Sequence, residues 1–224
     1  MRQSAADAAE AHVGAEKRWS VAIALMVAIA LELVLPRRFS LGPQWTVPAI
    51  ELLLVLAIVI VDRRFIEGRS PAGRMLFLGF LALLVVEAAG ITSRLVVDLI
   101  EGGPETNSPA ALLRTGFGVW LYTIIAFAFL YWGVDGSGPG ARAEALPEFP
   151  DLAFPEQINP GVARPGWRPE FPDYLYLAFT NATAFSPTDV MPLARWAKLA
   201  MAVQATVSLM VLGLVIARAV NILK

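Results

Sequence analysis

The sequence predicts an all-α membrane protein with about five transmembrane helices and one re-entrant half-helix. Hydrophobic residues make up 57% of the 224 positions and the mean hydropathy is +0.60, whereas soluble domains are about 45–50% apolar. The apolar residues fall into blocks separated by charged or Pro/Gly-rich breaks, as spanning helices of about 20 residues require. One block near the C-terminus is too short to cross a hydrocarbon core about 30 Å thick, which predicts the half-helix.

Charge and composition exclude several function classes. The net charge is −1, so neither nucleic acid nor an anionic membrane surface is an expected partner, and the expected environment is the lipid bilayer. Cysteine is absent and His12 is the only histidine. The sequence therefore does not supply the ligands of a typical catalytic zinc site or the residues of a Ser-His or Cys-His nucleophilic site. We expect no enzyme, no catalytic residue, no metal and no cofactor. Abundant Ala, Leu, Val, Arg and Pro is typical of a bacterial chain, which suggests a multi-pass protein of the bacterial inner membrane.

Residues 1–18 form an Ala-rich polar segment that we interpret as an amphipathic helix at the membrane surface. Acidic residues precede the first apolar block, unlike in a signal peptide, so this segment is expected to be retained. Residues 19–109 hold three predicted spans and a short amphipathic helix, in the order Trp19–Leu35, Val47–Val61, Met75–Ile91 and Thr92–Ile100. The first two spans, joined by a tight connection, are expected to form a helical hairpin.

Acidic residues within these apolar blocks are candidates for function. Glu32 lies one turn from the end of its block, and we expect it to reach Arg37 or the membrane interface. Glu87 lies deep in the third span, where a carboxylate costs a few kcal/mol unless it is paired or protonated. It is therefore an intramembrane functional candidate, and the alternative is a structural hydrogen bond or ion pair with Arg94 or Arg114. No sequence pattern predicts a second carboxylate beside Glu87.

Residues 110–224 form the second predicted unit, which begins with the span Ala110–Val134. Residues 135–172 contain eight prolines and six acidic residues without a helical or strand period, so we expect an extended excursion on one membrane face. It is interpreted as a linker, as packing between subunits, or as an acidic vestibule that concentrates cations. Three aromatic residues are candidates to pin it to the domain, namely Phe149, Trp167 and Phe171.

The C-terminal part of this unit divides into a short helix at 173–184, a loop at 185–192 and a long helix at 193–223. From Asn181 to Pro192 the chain reads NATAFSPTDVMP. This stretch resembles, without a gap, the filter of tetrameric potassium channels, Thr-Ala-Thr-Thr-Val-Gly-Tyr-Gly-Asp, with Asp189 and Pro192 at the family spacing. Trp196-Ala197-Lys198 and Gly213 match the start and a small residue of the family's inner helix, whereas Ser208 replaces its hinge glycine. The resemblance implies a pore helix, a filter loop and an inner helix in a homotetramer.

The loop departs from the family at the filter. Potassium selectivity uses rings of backbone carbonyls that two glycines help to aim, but this chain has Ser186-Pro187-Thr188 in their place. Proline fixes φ and removes an N–H, so we expect no standard potassium filter. The resemblance implies filter-like positions at Thr183, Ala184, Phe185, Ser186, Pro187, Thr188 and Asp189. One interpretation is a weakly selective cation path lined by rings of side-chain hydroxyls and of Asp189. A second is a hydrophobic constriction, in which Phe185 closes the axis. A third is a simple turn, in which Asp189 caps the backbone N–H groups of a helix.

On the last helix, a 3–4 residue spacing predicts a face that lines the axis of the assembly. Its members are Gln204, Ser208, Val211, Val215 and Arg218, and the alternative for Arg218 is snorkelling to headgroups. The sequence thus predicts an ion channel-like membrane protein with a potassium-channel-type pore and an atypical filter that is not selective for potassium, for which inorganic ions are the candidate partners. The alternatives are a non-conducting scaffold with the channel fold and a proton-coupled transporter that uses Glu87.

Orientation is left open by two opposed arguments. The resemblance favours a loop on the outer face of the membrane. The positive-inside rule favours a cytoplasmic connection for Arg63, Arg64, Arg69 and Arg74, which with five simple crossings puts the loop inside.

Overall fold

The computed structural model describes residues 18–40, 42–61, 71–103, 106–144, 148–159, 161–183 and 189–222. The described residues form eight α-helices: α1 (Arg18–Val34), α2 (Thr46–Val61), α3 (Pro71–Glu101), α4 (Pro109–Val134), α5 (Pro139–Glu144), α6 (Pro155–Ile158), α7 (Phe171–Thr183) and α8 (Arg195–Ile222). Two short 3₁₀ turns lie at Arg37–Phe39 and Asp135–Ser137, and two-residue strands lie at Leu152–Ala153 (β1) and Met191–Pro192 (β2). The predicted N-terminal segment lies almost entirely outside the described residues.

Three of these helices are long and apolar enough to cross a membrane, namely α3, α4 with the 3₁₀ turn that follows it, and α8. The helices α1 and α2 are apolar but shorter, at 17 and 16 residues. The third predicted span and the amphipathic stretch after it form one continuous helix, α3, of 31 residues. The described chain is therefore all-α in its long elements, with helices suited to a bilayer.

The helix α4 lies at the centre of the bundle and packs against α1, α3, α7 and α8. Its second half is buried almost completely and is rich in aromatic side chains. Phe129 and Trp132 pack against Phe171 at the start of α7, with ring centroids 4.8 and 5.7 Å away. Burial on nearly every side explains why this segment reads as a continuous apolar run rather than an amphipathic one.

One end of the bundle, which we call the cap end, is formed by the end of α4 and the chain that follows it. The Tyr174 hydroxyl, in the first turn of α7, donates to Asp135 Oδ2 just after α4, at 2.5 Å. The backbone N–H of Leu193, just before α8, donates to the Asp151 carbonyl at 2.8 Å. Arg74, near the start of α3, donates to the Ser137 carbonyl. The starts of α3, α7 and α8 therefore meet the end of α4.

The opposite end of the bundle, the far end, joins the other helix termini. Arg38, just after α1, forms an ion pair with Asp98 near the end of α3. The Thr106 hydroxyl, ahead of α4, donates to the Asp98 carbonyl at 3.0 Å. Arg218 in the last turns of α8 donates to Asn107 Oδ1 at 2.7 Å. Arg218 therefore donates a hydrogen bond within the chain. It lies at the end of α8, where the sequence offered snorkelling to lipid headgroups as the alternative to lining the axis.

The excursion at 135–172 is more ordered than its composition predicts. It contains a 3₁₀ turn, α5, β1 and α6, and β1 pairs antiparallel with β2. Trp167 packs against Phe154 and Phe171 is buried, as expected of residues that pin the excursion. Phe149 is 83% exposed, so its predicted role as a pin is wrong. The excursion is ordered by contacts with the rest of the fold, where its backbone groups find partners. The spacing of apolar residues within the excursion does not predict such long-range contacts.

Candidate functional site

A polar cluster links α4, α7 and α8, and we call it the amide node. The Tyr131 hydroxyl donates to Gln204 Oε1 at 2.7 Å, and Asn181 Nδ2 donates to the same oxygen at 2.8 Å. Gln204 Nε2 donates to the Ala178 carbonyl at 2.9 Å. Asn181 Nδ2 also reaches the Met201 carbonyl at 3.0 Å. The node thus fixes the C-terminal half of α7 to α8 through hydrogen bonds within the protein.

The predicted axis-lining face of α8 lies inside the subunit. Gln204, Ser208 and Val211 are buried within a single chain, whereas an axis-lining side chain stays exposed until subunits assemble. Val215 packs at Gly116 of α4, and Arg218 is held by Asn107. The 3–4 residue spacing correctly groups these residues on one face, but that face packs against α4 and α7 rather than facing an axis.

Most of the predicted filter lies outside the described residues, which omit positions 184–188. Thr183 ends α7, and its hydroxyl donates to the Thr180 carbonyl at 2.8 Å. Asp189 is exposed, Val190 is buried, and β2 follows at once. Because β2 pairs with β1, the chain that leaves the loop is tied to the excursion at the cap end.

A second polar cluster was not anticipated from the sequence, and we call it the carboxyl cluster. It consists of Glu32 of α1, Glu51 of α2, Glu87 of α3 and Tyr122 of α4, which are 3%, 0%, 1% and 0% exposed. The Tyr122 hydroxyl donates to Glu32 Oε1 at 2.5 Å. Glu51 faces Glu32 and Tyr122, and Glu87 lies near enough to all three to interact electrostatically. Four helices therefore each contribute one ionisable group to one buried place.

The carboxyl cluster corrects two sequence expectations. Glu32 does not reach Arg37, whose guanidinium donates instead to Gln44 Oε1 at 2.9 Å. Glu87 does have other carboxyl groups beside it. The signal available in the sequence was that each of these glutamates sits within an apolar helix, where an isolated carboxylate is costly. What the sequence lacks is the rotation of each helix about its axis.

The carboxyl cluster lies near the middle of the bundle. Tyr122 is 13 residues from the start of α4 and 12 from its end, or about 18–20 Å at about 1.5 Å per residue. Glu87 is similarly central in α3. Among the described residues, the ionisable groups that act on Glu32, Glu51 and Tyr122 are one another and Glu87, with no arginine or lysine among them. Nor do the described side chains include a group arranged to hold a metal ion.

No family model, curated protein or solved structure matches this chain.

Proposed function

We propose that the chain is a channel-like, multi-pass protein of the bacterial inner membrane, whose copies assemble as a homotetramer around an ion pathway that is not selective for potassium. The pathway is formed by α7, the loop after it and α8. Five helices, α1 to α4 and α8, cross the membrane in this arrangement, and α7 enters it only part of the way.

The observation that carries the proposal is the attachment of the start of α7, and of the chain just before α8, to the cap end. α7 has 13 residues and is about 20 Å long, short of a hydrocarbon core about 30 Å thick. Its start is bonded to Asp135, and the chain that reaches α8 is bonded to Asp151 in the same excursion. A chain that enters and leaves at one end supports a re-entrant half-helix, which needs protein or water around its free backbone groups.

The amide node supports the same arrangement from the inside. It bonds Asn181 on the last turn of α7 and the Ala178 carbonyl to Gln204, so the half-helix is held at a fixed depth against α8. A pore loop needs such support, because a selective path requires loop atoms held within a fraction of an ångström. The resemblance of Asn181–Pro192 to a potassium-channel filter adds to this argument.

Subunit contact and pore lining would fall to the exposed face of α8, which is opposite the buried face. The residues of this face recur at 3–4 residue spacing and are all exposed, namely Leu199, Val203, Thr206, Met210, Gly213, Ala217 and Val220. The face carries no charge, and three of its members, Thr206, Gly213 and Ala217, are small. Small residues allow membrane helices to approach closely, which suits an assembly of identical subunits.

The test is ion flux through the purified protein in liposomes under separate gradients of potassium, sodium, chloride and protons. We expect cation flux without a preference for potassium over sodium, and its loss in Asp189→Ala and in Thr188→Ala. Glu101→Gln is the matched control, because it removes an exposed carboxylate from the far end of the bundle and should leave flux unchanged. A protein that is inert in every gradient would instead support the non-conducting scaffold, and a dimer would contradict the fourfold pathway.

A further inference from the structure

We propose that Glu32, Glu51, Glu87 and Tyr122 form a reversible proton-binding site in the middle of the helical bundle. This site is separate from the loop after α7, and the proposal does not depend on that loop conducting ions. It gives a chemical role to the buried carboxyl groups, which the pore proposal leaves unused.

The first step is the pair that the hydrogen bond defines. Tyr122 donates its only hydroxyl proton to Glu32 Oε1 at 2.5 Å, so Glu32 accepts on that oxygen. Glu32 Oε2 is buried and has no hydrogen-bond partner among the described residues. One oxygen of the pair thus remains available to a further donor.

The second step is the unsatisfied side chain that faces this pair. Glu51 is fully buried, and neither of its oxygens has a hydrogen-bond partner among the described residues. An ionised carboxylate accepts hydrogen bonds only, whereas a protonated carboxyl also donates one. A proton on Glu51 therefore lets it donate toward the free oxygen of Glu32, and a proton on Glu32 lets it donate toward Glu51.

The third step is the charge balance. Among the described residues, the ionisable groups that face Glu32 and Glu51 from the surrounding helices are Tyr122 and Glu87, and neither brings a positive charge. Buried charge without a counter-ion is costly, and carboxyl groups that share a site keep a proton between them. A proton from water neutralises one carboxylate and supplies the missing donor at the same time. Its release leaves a negative charge that the Tyr122 hydroxyl stabilises at Glu32 by its hydrogen bond.

The geometry favours a proton over a metal ion as the occupant. A divalent cation needs several oxygen ligands converging on one point at about 2.0–2.6 Å, and the described acidic residues contain no such group. A proton needs only two facing oxygens, which Glu32 and Glu51 provide.

The test is infrared difference spectroscopy of the whole protein in lipid nanodiscs, recorded across a series of pH values in H₂O and D₂O. We expect a protonated-carboxyl C=O band whose amplitude changes reversibly with pH and whose frequency shifts on deuteration. Glu51→Gln and Glu32→Gln, which keep side-chain shape, should each abolish this pH-dependent band. Tyr122→Phe should shift its frequency without removing it, because it removes the hydrogen bond to Glu32 and leaves the carboxyl groups in place. Glu101→Gln, an exposed change on α3, is the control and should leave the band intact.

Three results would overturn the proposal. One is a carboxyl band that does not change with pH wherever the wild-type protein stays folded, since those carboxyl groups would be permanently protonated and structural. A second is a titrating band that survives Glu32→Gln, Glu51→Gln and Glu87→Gln alike. The third is a band that disappears at fixed pH when sodium or calcium is added, which would assign the site to a metal cation. The wild-type titration is decisive even where a variant fails to fold.

Discussion

At the scale of single residues, Gln204 shows how one polar side chain organises three helices. Its amide is both donor and acceptor. Its described hydrogen bonds join it to Tyr131 of α4 and to Asn181 and the Ala178 carbonyl of α7. In a bilayer the same side chain facing lipid would leave those groups without partners. Its burial is therefore explained by hydrogen bonding rather than by any need to line a pore.

Gln204→Leu should lower stability, because it keeps the size of the side chain but removes the partner of Tyr131, Asn181 and the Ala178 carbonyl. Interhelical hydrogen bonds in membranes are worth about 0.6–2 kcal/mol each. We expect a loss of about 1–3 kcal/mol, since a buried group left unsatisfied adds its own cost. Thermal unfolding in a single detergent measures it.

Asn221→Leu is the matched control for this prediction. Asn221 is an exposed amide on the same helix and is not one of the residues assigned to subunit contact, so the same amide-to-Leu change should leave the unfolding temperature nearly unchanged there. Equal losses in the two variants would show that α8 merely tolerates leucine poorly, and would contradict the role assigned to the amide node.

The residue scale also marks the limit of sequence reasoning. Spacing alone groups Gln204, Ser208 and Val211 on one face of a helix, and that grouping is right. The spacing does not say what covers the face, because a face that lines a pore axis and a face that packs on another helix both have a spacing of 3–4 residues. Glu32 and Glu51 lie 19 residues apart along the chain, and Glu51 and Glu87 lie 36 apart. Their meeting depends on the rotation of each helix about its axis, which no local pattern encodes.

At the scale of elements, the long helices were predictable and the excursion was not. Apolar blocks in a membrane chain must be helical, because each backbone group needs a partner within the segment. The observed bounds of α1, α2 and α4 lie within one residue of the predicted spans. The excursion at 135–172 is ordered by contacts such as Asp135 with Tyr174 and β1 with β2, which join distant parts of the sequence.

Close packing of α4 against α8 gives the prediction at this scale. A Cβ added at Gly116 would lie 2.8 Å from Val215 Cγ2, nearer than real Cβ contacts allow. Gly116→Ala should therefore destabilise the protein by about 1–3 kcal/mol through overpacking. Combining it with Val215→Ala should recover part of the loss, which unfolding of the two single variants and the double variant in a mutant cycle will measure.

Gly79→Ala in α3 serves as the control. A Cβ at Gly79 meets no atom within 4 Å, so this change should be neutral or stabilise α3 by up to about 1 kcal/mol through helix propensity. The packing argument fails if Gly116→Ala is as well tolerated as Gly79→Ala.

At the scale of the whole molecule, the contacts order the helix termini into two ends. α4 runs from the far end to the cap end, while α3 and α8 run from the cap end to the far end. If all three cross the bilayer, the two ends lie on opposite sides of it. The sequence could not settle which end faces the cytoplasm, because the arginines at 63–74 and the resemblance to channel filters favour opposite orientations.

Sided labelling tests this arrangement directly, and the absence of native cysteine makes single-cysteine variants clean reporters. Phe149→Cys reports on the cap end and Glu101→Cys on the far end, and both positions are exposed. A membrane-impermeant thiol reagent applied to intact cells should label one variant only, and the other only after the cells are opened. Labelling of both from the same side would contradict the bundle as a transmembrane unit. If Phe149→Cys is the variant labelled in intact cells, the loop after α7 opens to the outside as in potassium channels; if Glu101→Cys is, the arginine-rich connection is cytoplasmic and the loop opens inward.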